Sequence, residues 1–262
     1  MSKLPTPPAA LLLDIDGVLH VGEEPLPGAI EALRRLRELT RGVRLLTNTT
    51  SRSRRAIVER LRALGFELSE AEVLTPAALA LAHCRSRGYQ RVSLMVSESL
   101  REDLEELEAA AEGEPAEAIV LGDLGAGFTA ERLNAAFRQL MDGAELVALQ
   151  HNRYWRRADG LALDVGAYAA ALEYASGVEA VVVGKPSPRF FRAALDDLGA
   201  DPAGAAMVGD DIEGDIGGGL AAGIASILVR TGKFREDAVA ASGIVATATV
   251  DSIVEVPALL GG

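Results

Sequence analysis

The chain has 262 residues, of which 49% are hydrophobic and 24% charged, and its formal net charge is −12. This composition is typical of a globular protein, and the acidic excess disfavours broad attraction to nucleic acid or to an anionic membrane surface. No apolar run reaches the roughly 20 residues that a membrane-spanning helix requires. A single cysteine, Cys84, excludes an internal disulfide and fits a reducing compartment. We therefore predict a cytoplasmic protein in which Cys84 is a small core residue.

Short apolar runs alternate along the chain with longer amphipathic stretches, which indicates βα repeats around a parallel sheet. Strands buried on both faces are apolar throughout, and the runs of this kind predict core strands over 10–14, 43–48, 180–185, 205–210 and 226–231. Helices are predicted over 27–40, between the first two strands, and over 51–65, after the second. Ser51 is the expected N-cap of the second helix and Gly65 its end.

The middle of the chain has its own set of predicted elements. They are helices over 77–87, 100–111, 129–143 and 166–177, and strands over 91–96, 117–122 and 145–150. This pattern indicates a second α/β unit inserted into the first. The predicted domains are a core formed by 1–76 and 180–262 and an inserted domain over 77–179.

Polar residues follow the predicted core strands at the points where the strands end. In an open parallel sheet, ligands bind at the carboxyl ends of the strands. The residues concerned are Asp14 and Asp16, Thr47 and Asn48, Lys185, and Asp210, Asp211 and Asp215. We therefore expect carboxylates, a hydroxyl, an amide and an ammonium group to share one site.

Converging carboxylates raise each other's pKa unless a cation balances them. Mg²⁺ suits such a site, because it prefers one or two carboxylates together with water and phosphate oxygens. Lys185 supplies a compact positive charge for phosphate oxygens, and Thr47 and backbone N–H groups supply hydrogen bonds to them. The predicted site is suited to phosphoryl transfer.

Asp14 and Asp16 form a carboxylate pair whose members can take different roles. One has to be ionised and attack phosphorus, which gives an aspartyl phosphate. The other has to give a proton to the leaving oxygen and later take one from the attacking water. Environments that separate the two pKa values allow this division, and Gly17 allows the backbone to turn close to the phosphate.

Four segments resemble, in order and spacing, the motifs of the haloacid dehalogenase (HAD) superfamily: "DIDGV" (14–18), "TNTT" (47–50), "GKPSP" (184–188) and "GDDIEGD" (209–215). The resemblance covers nearly the whole chain and implies an α/β fold, a Rossmann-like core with a parallel sheet. The insertion over 77–179 resembles a C2-type α/β cap domain. Within it, residues 133–177 are most similar to the subgroup of phospholysine phosphohistidine inorganic pyrophosphate phosphatase and nitrophenyl-phosphatase-like enzymes.

The resemblance implies a role for each matching residue. Asp14 is the nucleophile and a metal ligand, and Asp16 is the general acid/base, which also binds Mg²⁺ through its backbone carbonyl. The remaining roles are phosphate contacts from Thr47 and Asn48, neutralisation of the phosphoryl oxygens and of Asp14 by Lys185, direct metal ligation by Asp210, and orientation of metal-bound water by Asp211 and Asp215. Because dehalogenases of the superfamily lack an acid at the position of Asp16, phosphate chemistry is favoured.

The expected function is that of a Mg²⁺-dependent phosphatase, a phosphoric monoester hydrolase, acting on small phosphate esters, phosphoamino acids or pyrophosphate. Two alternatives stay open: a phosphotransferase or mutase on the same scaffold, and a non-catalytic protein that senses a phosphate ligand. A C2-type cap limits the site to small molecules, and residues 152–164 are expected to set selectivity. The resemblance also suggests a homodimer formed through the cap.

The remaining motifs have simpler interpretations. "GDDIEGD" does not match the spacing of a calcium loop. "RYWRR" (153–157) is predicted to be an exposed cap loop rather than a site for single-stranded nucleic acid. His20, His83 and His151 share no metal-ligand spacing, so structural or solvated roles are expected, with a substrate contact as the alternative for His20 in the predicted flap.

Overall fold

The computed structural model describes residues 8–111, 113–157 and 160–261. Its β-strands are β1 Ala10–Asp14, β2 His20–Val21, β3 Glu24–Pro25, β4 Gly42–Leu46, β5 Val73–Leu74, β6 Arg91–Met95, β7 Glu108–Ala109, β8 Ala118–Leu121, β9 Glu145–Ala148, β10 Tyr154–Arg157, β11 Gly160–Leu163, β12 Val181–Val182, β13 Ala205–Gly209, β14 Ala225–Val229 and β15 Ala248–Val250. Its α-helices are α1 Ala29–Leu39, α2 Arg54–Ala63, α3 Pro76–Arg87, α4 Ala130–Met141, α5 Val165–Ser176, α6 Pro188–Leu198, α7 Gly218–Ala221, α8 Glu236–Ser242 and α9 Val256–Leu259.

The first compact unit comprises residues 8–47, 58–74 and 185–261 of the described chain. Its parallel sheet has the strand order β15–β14–β13–β1–β4–β5. β1 lies inside the sheet, with Leu13 opposite Val208 of β13 and Leu45 of β4. Every residue of β1 is buried, which is why its sequence is apolar as far as Asp14. This order brings the carboxyl ends of β13, β1 and β4 side by side.

Amphipathic helices of the first unit bury one face each. The buried residues of α1 are Ala29, Ala32, Leu33 and Leu36, and those of α6 are Phe190, Phe191, Ala194 and Leu195. The predicted helices 27–40 and 51–65 are found as α1 and α2. The predicted N-cap of α2 is wrong: Ser53 takes this position instead of Ser51, because its Oγ accepts the Ala56 N–H at 3.3 Å.

The second compact unit comprises residues 48–57 and 75–184 of the described chain. Its parallel sheet has the order β12–β9–β8–β6–β7. Side chains of β8 alternate between two apolar clusters, with Val120 in the cluster that includes α3 and Ile119 in the cluster that includes α4 and α5. Cys84 is fully buried in the first of these clusters, which confirms its predicted place in the core.

The predicted helix over 100–111 is wrong. These residues form a short 3₁₀ helix, Ser99–Leu104, which is followed by strand β7. Leu100, Leu104 and Leu107 are buried in the cluster that includes α3, and the backbone beyond them pairs with β6 at the edge of the sheet. Burial of the leucines and strand pairing therefore override the helix propensity of the glutamates between them.

Two other predicted elements need correction. The segment 153–157 is not a loop, because residues 154–157 form β10, which pairs antiparallel with β11 in a hairpin. The predicted core strand 180–185 is reduced to β12 and pairs with β9 in the second sheet instead of the first. The residues after β12 also lie against the backbone of the second unit, because the Val183 N–H donates to the Ala148 carbonyl at 3.0 Å and a Cβ at Gly184 would overlap the Leu149 carbonyl oxygen.

The predicted domain boundaries, 1–76, 77–179 and 180–262, stay a prediction. Residues 1–7, 112, 158–159 and 262 of these ranges lie outside the described residues, and 158–159 also belong to the segment 152–164 that was expected to set selectivity. In the described part of the chain, no helix has the length and apolar composition needed to cross a membrane.

We predict that the Cys84 thiol reacts with Ellman's reagent only when the protein unfolds. Burial, together with the carboxylate of Glu145, raises the pKa of the Cys84 thiol to about 11, so little thiolate exists near neutral pH. The native protein should react at least about 100-fold more slowly than the protein in concentrated urea. The matched control is Ser86→Cys, an exposed position on the same helix α3, which should add one rapidly reacting thiol. Rapid reaction of the native wild type would contradict the burial.

Candidate active site

The carboxyl end of β1 places Asp14 in the interior of the first unit. Asp14 is the last residue of the strand, and its side chain is only 8% exposed. Lys185 Nζ is also buried and lies 2.6 Å from Asp14 Oδ1 and 2.7 Å from Asp215 Oδ1. One ammonium group is therefore shared by two buried carboxylates in short, charge-assisted contacts.

The carboxyl end of β13 supplies further carboxylates. Gly209 ends the strand, Asp210 follows it, and a π-helical turn over Ile212–Gly217 brings Asp215 back against the strand end. Glycine is needed at 209, because a Cβ there would overlap the side chain of Asp215. As a result Asp14, Asp210 and Asp215, all buried, each bring one carboxylate oxygen within 4.8 Å of the others.

The crowding of these carboxylates changes their ionisation. Burial first, and then the charge of Asp215, raises the pKa of Asp14 well above its ordinary value, although Lys185 opposes the shift. The same two causes raise the pKa of Asp210 to about 7. Burial disfavours the charged form of Lys185, but Asp14 and Asp215 outweigh burial, so the pKa of Lys185 is raised. Lys185 is therefore a permanent cation beside more carboxylates than it can neutralise.

A divalent cation fits this set of residues. When all the groups are ionised, three carboxylates and one ammonium leave two negative charges uncompensated. Among the described residues, Asp210 Oδ1 is buried without a hydrogen-bond partner, which costs free energy unless another group binds it. Hard cations such as Mg²⁺ prefer carboxylate oxygens as ligands. The donor set therefore fits a divalent cation.

Asp211 makes different contacts from its neighbour Asp210. Its Oδ1 accepts hydrogen bonds from the backbone N–H groups of Glu213 at 3.1 Å and Gly214 at 2.9 Å, and its Oδ2 lies 3.3 Å from Lys233 Nζ. Burial raises the pKa of the Asp211 carboxyl, but Lys233 and the Gly214 N–H outweigh burial, and the pKa is lowered. Asp211 thus caps the π-helical turn as an ionised group. The roles predicted for it and for Asp215 in orienting metal-bound water stay a prediction.

Asp16 lies in the turn after β1 and, unlike Asp14, reaches solvent with 52% of its side chain exposed. Thr47 Oγ1 donates to Asp16 Oδ2 in a long contact of 3.4 Å, and His20 Nε2 lies 3.6 Å from Asp16 Oδ1. The other ring nitrogen of His20 lies 3.1 Å from the Gly22 carbonyl oxygen, in the hairpin formed by β2 and β3. The two aspartates therefore have the contrasting environments that different catalytic roles require.

Thr47 and Asn48, predicted together as phosphate contacts, fall in different compact units. Thr47 follows β4 and is buried, and its N–H donates to the Leu74 carbonyl at 3.3 Å. Asn48 belongs to the second unit, where a Cβ added to Gly184 would lie 2.7 Å from Asn48 Oδ1. Their contacts with phosphate stay a prediction.

Residues 231–233 are not among the site residues predicted from the sequence, although they contact Asp210 and Gly17. They follow β14, which is the neighbour of β13 in the sheet. The Lys233 backbone N–H donates to Asp210 Oδ2 at 2.6 Å, and Thr231 Oγ1 donates to the Gly17 carbonyl at 2.5 Å. Their position was an available signal, because these residues, like Asp14 and Asp210, lie at or just beyond the carboxyl end of a buried strand of the same parallel sheet.

Fold and site together define an α/β protein with a buried carboxylate cluster and a lysine at the carboxyl edge of a parallel sheet. Two family models match the chain, one described as Haloacid dehalogenase-like hydrolase over residues 11–110 and one described as HAD-hydrolase-like over residues 182–256. The chain belongs to the family of haloacid dehalogenase-like hydrolases, as its four motifs indicate.

Similar proteins place the chain more closely within this family. Phospholysine phosphohistidine inorganic pyrophosphate phosphatase of Bos taurus is 41% identical over 95% of this chain and 93% of its own. Haloacid dehalogenase-like hydrolase domain-containing protein 2 of Homo sapiens is 42% identical over 86% of this chain and 85% of its own. The structure of p-nitrophenyl phosphatase from Archaeoglobus fulgidus has a TM-score of 0.90 at 31% identity, and the match covers 97% of this chain and 99% of the other. These similarities confirm the predicted superfamily, subgroup and fold class.

We predict that Asp210→Asn stabilises the metal-free protein at alkaline pH. The asparagine keeps an oxygen for the Lys233 N–H but removes a buried charge that Asp215 repels. The pKa of Asp210 is about 7 in the folded protein and about 3.9 in an unfolded chain. The folded wild type therefore binds the proton more tightly and loses stability as the pH rises from about 4 to about 7, whereas the variant does not.

Urea unfolding in EDTA tests this prediction. Near pH 8 the variant should be more stable than the wild type by on the order of 1–3 kcal/mol, and the difference should shrink as the pH falls through about 7 towards 4. Asp201→Asn is the matched control, because Asp201 is exposed and makes no side-chain capping bond. It should change the free energy of unfolding by less than about 0.5 kcal/mol. If Asp210→Asn is less stable than the wild type under these conditions, the prediction that the charge of Asp210 destabilises the folded protein is wrong.

Proposed function

We propose that the protein is a Mg²⁺-dependent phosphatase that hydrolyses small phosphate monoesters through an aspartyl phosphate on Asp14. The observation that supports this most directly is the buried grouping of Asp14, Lys185, Asp210 and Asp215, in a family whose named relatives include phosphatases. Catalysis of phosphoryl transfer consists mainly of positioning and charge stabilisation. A carboxylate held against an ammonium, beside a cation site, meets both needs.

In the first step a carboxylate oxygen of Asp14 attacks phosphorus. The bond from Asp14 to phosphorus forms, and the bond from phosphorus to the leaving oxygen breaks. Asp16 gives its proton to that oxygen, and its exposed position is suited to meeting a leaving group. Lys185, which contacts Asp14 Oδ1, holds the nucleophile in place and balances the charge of the phosphoryl oxygens.

In the second step water attacks the phosphorus of the aspartyl phosphate. Asp16, now ionised, takes a proton from that water, the bond between phosphorus and Asp14 breaks, and phosphate leaves with the Asp14 carboxylate restored. Asp14, Asp210 and the backbone carbonyl of Asp16 would hold Mg²⁺, with Asp211 and Asp215 orienting its water. When bound, the ion would supply positive charge that reduces the repulsion between the phosphate and an ionised carboxylate.

The substrate class follows from the relatives and from the inserted domain. We propose that residues 77–179 form a C2-type cap that restricts the site to small phosphorylated molecules, with selectivity set within 152–164. The relatives are named for phospholysine, phosphohistidine, pyrophosphate and p-nitrophenyl phosphate, so phosphoamino acids and pyrophosphate join simple esters as candidate substrates. Homodimer formation through the cap and a cytoplasmic location stay predictions.

Asp14→Asn should abolish turnover, because the amide cannot attack phosphorus. Release of p-nitrophenol from p-nitrophenyl phosphate, with Mg²⁺ present, should fall at least about 1,000-fold in kcat. The fold should persist, as judged by circular dichroism, since the asparagine has nearly the same volume. Asp201→Asn again serves as the exposed control and should keep wild-type turnover. Wild-type turnover in Asp14→Asn would rule out the aspartyl-phosphate mechanism.

Asp16→Asn should slow turnover by about 100-fold or more if Asp16 moves protons. The size of the loss should depend on the leaving group, and a substrate pair measures this. p-Nitrophenolate leaves without being protonated, whereas an alkoxide does not, so single-turnover formation of the phosphoenzyme should suffer far more with an alkyl phosphate than with p-nitrophenyl phosphate. An equal loss with both substrates would contradict the acid role of Asp16.

A further inference from the structure

The two carboxylate oxygens of Asp210 have very different surroundings. Oδ2 accepts the Lys233 N–H at 2.6 Å, and a Cβ added at either Gly17 or Gly232 would overlap it. Oδ1 is buried without a hydrogen-bond partner among the residues that the structure describes. Backbone atoms therefore enclose one oxygen of Asp210 and leave the other for a different ligand.

The enclosure depends on two glycines with left-handed backbone conformations. Gly17 has a φ of 84° and Gly232 a φ of 59°, values that other residues adopt only with strain. A Cβ at Gly232 would also lie 2.5 Å from Gly17 Cα. The turn after β1 and the turn after β14 thus approach each other backbone to backbone, with Asp210 Oδ2 between them.

Thr231 connects the same two turns. Its hydroxyl donates to the Gly17 carbonyl oxygen at 2.5 Å. The Gly17 N–H in turn donates to the His20 carbonyl at 2.8 Å, within the turn that also contains Asp16. A single hydroxyl therefore joins the β14 turn to the turn that follows β1 and contains Asp16.

We propose that the Thr231 hydroxyl, Gly232 and the Lys233 N–H form a positioning clamp that orients Asp210 for its divalent cation. The clamp binds Oδ2 and fixes the rotation of the carboxylate, so that Oδ1 stays directed at the cation. The proposal rests on the proposed function in one respect, namely that the cation is Mg²⁺. In this proposal the clamp residues are positioning residues and take no part in the chemical step. They act through Asp210, much as outer-shell partners orient metal ligands elsewhere.

Gly232→Ala and Gly199→Ala form a matched pair that separates the clamp from backbone strain. Gly199 ends α6 with a φ of 58°, close to that of Gly232, and nothing lies within 4 Å of an added Cβ there. Isothermal titration calorimetry with MgCl₂ on metal-free protein should show a dissociation constant at least about tenfold larger for Gly232→Ala than for the wild type. Gly199→Ala should keep the wild-type constant, although both variants melt at a lower temperature in EDTA.

Thr231 supplies a second pair that does not depend on a buried overlap. Thr231→Val removes the hydroxyl at nearly constant volume and should weaken Mg²⁺ binding by about tenfold, while Thr231→Ser should restore it to within about twofold. In turnover assays the Mg²⁺ concentration for half-maximal rate should rise in Thr231→Val, with kcat at saturating Mg²⁺ nearly unchanged. If Gly232→Ala does not fold, Thr231→Val and Thr231→Ser are sufficient to test the clamp.

The possible failures can be told apart. If the wild type binds Mg²⁺ and both Gly232→Ala and Thr231→Val bind it equally well, the clamp is overturned and the proposed function is untouched. If the wild type shows no Mg²⁺ binding and no Mg²⁺-dependent rise in melting temperature, the cation of the proposed function is overturned, and the clamp with it. A fall in kcat with an unchanged Mg²⁺ constant would also overturn the clamp, because it would place these residues in the chemical step.

Discussion

The contact of the Lys185 ammonium with Asp14 and Asp215 is the interaction on which the rest of the site depends. Two buried carboxylates and a third beside them would repel one another strongly without it. The ammonium lies 2.6 Å from one and 2.7 Å from the other, and removing one partner of a buried ionic group leaves the others uncompensated. Lys185 reduces the repulsion among these carboxylates in the folded chain, but its single positive charge does not neutralise all three of them. The negative charge that remains would favour a bound cation.

The positions of these charged groups depend on how closely neighbouring segments of backbone approach one another. Gly209 admits the side chain of Asp215 against the end of β13, and Gly17 and Gly232 admit a carboxylate oxygen of Asp210 between two turns. A parallel sheet brings strand ends to one edge, but the spacing among side chains at that edge is set by how closely the following turns pack. Glycine permits distances here that no other residue would. The same three positions therefore matter to the chemistry although they carry no functional group.

The grouping of Asp14, Lys185 and Asp210 was predictable from sequence because it depends on strand ends, whereas their catalytic roles stay a prediction. Asp14 and Asp210 stand directly after apolar runs, and a run buried on both faces can hardly be anything other than an inner strand. Lys185 is instructive, because its strand was assigned to the wrong sheet and its side chain nevertheless reaches Asp14. An apolar run in the sequence predicts a strand but does not indicate which of two sheets that strand joins. That choice depends on long-range packing, which includes the pairing with β9 and the close approach of the Gly184 backbone to the Leu149 carbonyl.

Two other features of the structure could not be predicted from the sequence pattern, because they also depend on tertiary contacts. The segment 100–111 has the composition of a helix, but its buried leucines and an available sheet edge turn part of it into β7, and tertiary context of this kind regularly overrides propensity. The clamp at 231–233 acts partly through a backbone N–H, which every residue except proline has. Nothing in the identity of Lys233 therefore reveals that its N–H binds Asp210.

The unsatisfied state of Asp210 shows that this site is not arranged for stability alone. A buried oxygen without a hydrogen-bond partner among the described residues and a pKa raised to about 7 both cost folding free energy. The Lys233 N–H binds Oδ2 and the backbone of the two flanking glycines lies against it, so the surrounding backbone fixes the position of this carboxylate. A buried oxygen that is held without a partner is consistent with a site organised in advance for a ligand. A cation that binds Asp210 Oδ1 removes both costs at once, because it satisfies the oxygen and balances the charge. The features that cost folding free energy are thus the same ones that would favour a bound cation.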